Sequence, residues 1–196
     1  MRRVLMIAAM ALFAAWSTEA SANLIVNGDF EFGTLAPWTA SGAVVIDSSN
    51  PNNGNFDAAF FSGSGGSLSQ LILTLGTNFT LSFALNNGTI DPSQPSSFVV
   101  NFGGNQVISF TGFDNIGAGY VIFTLPVSTL TAFTSLSFTG INDDLGGDWL
   151  LDDVSLVPVA VPEPSSVWVL GAALALLFGL SFTVVPRLRP IRKRVA

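Results

Sequence analysis

The chain has no cysteine and no histidine, and from Val4 to Pro186 it has no lysine or arginine. Each absence removes a class of chemistry. Without thiolate or imidazole, the nitrogen and sulfur ligands that transition metals favour are missing. No cysteine nucleophile exists, and no histidine or lysine is present in the middle of the chain to activate a serine. Export into an oxidising space brings no disulfide. Phosphate binding needs cations, so nucleic acid is excluded as a partner of the middle region.

The charge that remains is sorted by position. The seven bases are Arg2 and Arg3 at the front and Arg187, Arg189, Arg192, Lys193 and Arg194 at the back. Of the thirteen acids, all but Glu19 and Glu163 fall within 23–160, which leaves eleven carboxylates and no base in that stretch. The net charge of −6 therefore understates how acidic the middle is.

Both basic clusters abut apolar runs. Arg2 and Arg3 precede Val4 to Trp16, followed by the small triplet Ala20-Ser21-Ala22. This order predicts a secretory signal peptide over 1–22, cleaved after Ala22, with an apolar core too short for the roughly 30 Å of a bilayer. At the other end no charge occurs from Ser165 to Pro186. At ~1.5 Å per residue, a helix over about 167–185 just spans the hydrocarbon. The basic tail 187–194 stays on the cytoplasmic side, so 23–160 is the exported part.

Immediately before this run stands Pro162-Glu163-Pro164. Two prolines around one residue hold the backbone extended and open to a protease. Pro-Glu-Pro, one membrane-spanning helix and an Arg-rich end, in that order, resemble the PEP-CTERM sorting signal, here over 161–196. The resemblance implies a Gram-negative bacterium with an exopolysaccharide matrix, and an exosortase that processes the chain near this motif. The helix is then a temporary hold. The stretch from Ser181 through Pro186 to Pro190 is longer and more proline-interrupted than that pattern, and a permanent single-span anchor is the alternative.

Within 23–160, apolar residues alternate at Phe79-Leu81-Phe83-Leu85, Leu71-Leu73-Leu75, Val121-Phe123-Leu125 and Leu136-Phe138, as in strands with one buried face. Further strands are expected over 43–47, 58–62, 97–102, 106–110 and 149–157, separated by turn-forming Gly, Asn, Ser and Pro clusters. Some nine short strands without a helical period predict an all-β domain, a jelly-roll-like two-sheet sandwich.

Asn27-Gly28-Asp29-Phe30-Glu31 with Pro37-Trp38 near the start, and Trp149 to Leu156 containing Asp152-Asp153 near the end, resemble the opening and closing strands of galactose-binding-like jelly rolls, carbohydrate-binding modules among them. The resemblance implies that first and last strands come together. It also implies a structural calcium held by Glu31 and by Asp152 or Asp153, the oxygen-rich kind of site that calcium takes.

Two routes to glycan chemistry follow. Asp143, Asp144, Asp148, Asp152 and Asp153 crowd one segment, and paired carboxylates serve glycoside hydrolysis. Aromatic rings serve binding, because sugars stack C–H faces on them; Trp38, Trp149, Tyr120, Phe113 and the Phe60-Phe61 pair are the candidates, with core packing as the competing use of the two tryptophans. Adjacent acids more often form a solvated loop, so the expectation is a non-enzymatic, glycan-binding or structural protein. Its partners are exosortase, the membrane and extracellular polysaccharide, and its place is the cell surface or matrix. A glycan hydrolase or a permanently anchored surface protein is the alternative.

Overall fold

The computed structural model describes residues 22–61, 63, 65–75, 77–88, 96–111, 119–142 and 148–159. The signal segment up to Ser21, Pro162-Glu163-Pro164, the apolar run 167–185, the basic tail, Asp143, Asp144 and Phe113 lie outside the described residues. Among the described residues no helix is long and apolar enough to cross a membrane.

Ten strands are described: β1 Thr39–Gly42, β2 Val44–Asp47, β3 Asp57–Phe60, β4 Gly66–Leu73, β5 Asn78–Asn87, β6 Ser96–Phe102, β7 Asn105–Thr111, β8 Val121–Ser128, β9 Phe133–Asn142 and β10 Trp149–Pro158. They form two five-stranded sheets. Sheet A has the order β1-β4-β9-β6-β7 and sheet B the order β2-β3-β10-β5-β8. Neighbours pair antiparallel, so each strand turns alternate side chains inward.

The inner faces meet through aromatic rings. Phe60 of sheet B contacts Phe98 of sheet A edge-on with centroids 5.2 Å apart, and Phe83 meets Phe138 edge-on at 5.5 Å. Such pairs add about 0.5–1.5 kcal/mol each to what their burial contributes. Phe79, Leu81, Phe83 and Leu85 are all fully buried, as the alternation in β5 predicts.

In β4 the alternation is correct in period and wrong in phase. Leu71, Leu73 and Leu75 are 70%, 49% and 76% exposed, while Leu68, Gln70 and Ile72 occupy the inner positions. Both faces of β4 carry apolar residues, so period two alone does not say which face is inside. β1 was not anticipated: its four residues, Thr-Ala-Ser-Gly, are all exposed and carry no alternation to find.

The segment before β1 runs beside the last strand. Leu24 N–H donates to Leu156 O at 2.8 Å, and Val154 N–H donates to Gly28 O at 2.8 Å. A Cβ on Gly28 would sit 2.0 Å from Val154 O, so only glycine permits this approach. The same segment reaches sheet A through Gln70, which accepts from Val26 N–H at 3.0 Å and donates to Val26 O at 2.9 Å. The first and last segments thus come together, although 23–28 is irregular chain rather than a strand. Opposite it, β10 breaks register between Asp152 and Ser155, with Asp153 at φ 50°, a bulge that bends the strand.

Candidate functional site

The motif Asn27 to Trp38 builds a closed turn. Asn27 Nδ2 donates to Thr34 O at 2.8 Å and Ala36 O at 2.9 Å, its Oδ1 accepts from Phe32 N–H, and its carbonyl accepts from Trp38 Nε1 at 2.9 Å. Trp38 packs between Phe30 and Phe138 and is 5% exposed. Trp149 is fully buried against Phe98 and Phe110. Both tryptophans are therefore core residues in this conformation. Phe60 is core too; of the rings considered for a sugar platform, Phe61 is exposed and Tyr120 half-buried.

The three acids expected at a calcium site do approach one loop, residues 52–56, from two sides. From the first segment, Glu31 Oε1 accepts from Asn55 N–H at 2.6 Å and Phe56 N–H at 2.9 Å, and Oε2 accepts from Asn55 Nδ2 at 3.0 Å. These bonds, that of Asn55 N–H foremost, hold the Glu31 carboxyl below the usual range. From β10, Asp152 Oδ2 accepts from Asn52 N–H at 3.0 Å and Asn53 N–H at 3.2 Å, its Oδ1 from Asp153 N–H at 2.7 Å, and Asp153 Oδ2 from Asn52 Nδ2 at 2.7 Å. Loop donors thus face the oxygens that a cation would need. Among the described residues, no three His, Cys, Asp or Glu side chains group in a way that holds a metal ion. The acids latch the loop to both ends of the domain.

A second polar cluster lies on the outer face of sheet B. Register puts Asp47 opposite Asp57, while Asp57 and Asp152 fall side by side on β3 and β10, because Leu151 pairs with Ala58. Asp57 and Asp152 are fully buried. Tyr120, just ahead of β8, donates its hydroxyl to Asp57 Oδ2 at 2.5 Å, and Asp57 Oδ1 has no hydrogen-bond partner among the described residues. Burial, reinforced by the nearby Asp47 and opposed by the Tyr120 bond, pushes Asp57 up to about 6. Burial likewise pushes Asp152 up to about 6 against the pull of the loop N–H groups. The Tyr120 phenol is pushed up by burial and by its bond to Asp57.

Asp57, Asp47 and the loop 52–56 were missed in the sequence. A single ionisable residue opening the apolar run Asp57-Ala58-Ala59-Phe60 was the available signal, since a buried carboxylate needs a specific partner.

No protein-family model and no curated protein sequence matches the chain. Solved structures do. A carbohydrate-binding module, TmCBM61, solved in complex with β-1,4-galactotriose, superposes with a TM-score of 0.53 at 19% identity over 69% of this chain and 98% of that one. A family 16 carbohydrate-binding module, module 2, gives 0.53 at 18% identity over 69% of this chain and all of that one. The enzymatically active domain of bacteriophage CBA120 tailspike protein 4 gives 0.50 at 18% identity, over 69% of this chain and 21% of that one. At such identities the likeness establishes the fold: a two-sheet β-sandwich of the kind found in carbohydrate-binding modules.

Proposed function

We propose that this is an exported surface or matrix protein whose β-sandwich binds extracellular polysaccharide without cleaving it. The observation that carries the reading is the superposition of 69% of the chain on essentially the whole of two carbohydrate-binding modules. The sugar-facing groups belong on the outer face of sheet B. Period two puts Phe61 on the same side as Asp57 and Ala59, beyond the end of β3. An exposed ring offers stacking for C–H faces, and the half-buried Tyr120 and Asp47 offer polar edges for hydroxyls. Asp57 and Asp152, the paired carboxylates on this face, are fully buried, which favours binding over hydrolysis.

Delivery is part of the same proposal. The order Pro162-Glu163-Pro164, apolar run, basic tail supports sorting by an exosortase at the membrane, with the matrix as destination. Mass spectrometry of cell-surface and culture fractions tests it. The expected mature chain begins at Asn23 and ends near Pro162-Glu163-Pro164 when the sorting enzyme is present, and retains Arg187 to Arg194 when it is deleted. A basic tail retained in both strains would instead mean a permanent anchor.

A further inference from the structure

We infer that the outer face of sheet A is a self-association surface, on which a second copy of this chain packs face to face. The first observation is electrostatic. None of β1, β4, β6, β7 and β9 contains an acidic or basic residue, whereas every acid that falls in a strand, Asp47, Asp57, Asp152 and Asp153, is in sheet B. A domain with eleven carboxylates and no base repels its own copies from most directions. Approach through the strands of sheet A brings no strand carboxylates together. Sheets pack about 10 Å apart, so two copies joined through this face keep their sheet B acids roughly 30 Å apart. That is about three Debye lengths at 0.1 M salt, where repulsion is largely screened.

The second observation is the chemistry of the face. Its centre is a hydroxyl field: Ser69 of β4 lies opposite Ser137 of β9, and Ser67 opposite Thr139. One corner is apolar. Leu73 pairs across the strands with Phe133, and Leu71 adjoins them; these are 49%, 62% and 70% exposed. Exposed leucine and phenylalanine grouped on a sheet mark a contact surface. A two-fold axis through the sheet sets the same patch of each copy against its equivalent.

Size sets the strength. Five strands spaced about 4.8 Å apart and some seven residues long cover roughly 500 Å² per copy. The total of about 1,000 Å² is at the lower bound for a specific interface, so the contact is weak alone and gains from many copies held at one surface.

Because the chain lacks cysteine, single introduced thiols report the contact in the full-length protein on cells. Ser69→Cys, Ser137→Cys and Val99→Cys sample the outer face of sheet A, and Thr124→Cys on the outer face of sheet B is the control. With a short thiol-reactive crosslinker, at least one sheet A variant is expected to form covalent dimer tenfold or more above Thr124→Cys. Adding Leu73→Asp or Phe133→Asp to that variant should remove most of the dimer, while melting temperatures stay within a few degrees of the parent. Equal crosslinking from both sheets, no dimer from any sheet A position, or dimer that survives Leu73→Asp and Phe133→Asp would each overturn the inference. So would a monomer that loses retention on a neutral polysaccharide when Leu73→Asp is introduced, which would make this face a glycan site instead.

Discussion

At the scale of single residues, the least comfortable group in the domain is Asp57. Fully buried, with one oxygen bonded to Tyr120 and the other without a described partner, its carboxyl is raised to about 6 from an ordinary value of 3.8. A raised carboxyl binds its proton more tightly in the folded state than in the unfolded one. Its contribution is therefore most favourable below the unfolded value and is lost as pH rises toward and through about 6. Asp152 acts in the same direction, also raised to about 6. Thermal melts from pH 4 to 7.5 should show stability falling with rising pH on their account. Asp57→Asn should flatten that slope and stabilise the chain at pH 7 by about 1–2 kcal/mol after allowance for solvent screening. A variant that melts lower than the parent at pH 7 would mean that the charged form of Asp57 has an unseen partner. Glu31 runs the other way: its lowered carboxyl favours the fold above the unfolded value and ceases to do so in acid.

Among the elements, the loop 52–56 is held by acids from both ends of the domain, Glu31 before β1 and Asp152 and Asp153 in β10. Hydrogen bonds fill these acids, so Asp152→Asn and Glu31→Gln should speed amide exchange in 52–56, and should do so equally in calcium and in chelator. A melting temperature that rises with calcium in the parent, and not in these variants, would show that an ion replaces the N–H donors. The strands themselves were legible because β5, β6 and β9 alternate cleanly, Phe79 to Leu85 being the plainest case. The phase of β4 was not legible, since Leu71 and Leu73 are as apolar as the Leu68 and Ile72 that displace them inward. The meeting of the first and last segments is legible from the two end motifs, but the loop that Glu31, Asp152 and Asp153 bond is not. Its backbone N–H groups at Asn52, Asn53, Asn55 and Phe56 leave no mark on side-chain identity, and only the Asn52 and Asn55 amides add side-chain donors. Asp57 escaped notice because its partner Tyr120 is 63 residues away in sequence, and only the register of β3 and β10 sets Asp57 beside Asp152.

For the whole molecule, the two sheets divide the work. Sheet B carries the strand acids, Phe61 and Tyr120 sit at its margins, and its outer face is the proposed glycan side; sheet A carries no charge and offers the chain a neutral side for its own copies. If both proposals hold, binding polysaccharide on one face and itself on the other would let the protein crosslink a matrix. The most direct measurement is to pass the full-length chain, extracted in mild detergent, over a panel of immobilised neutral polysaccharides that includes β-1,4-galactan, while assaying the eluate for new reducing ends. The account predicts retention on at least one polysaccharide with no reducing ends formed, and retention weakened about tenfold or more by Phe61→Ala. Passage through every column, or release of reducing ends on contact, would contradict it.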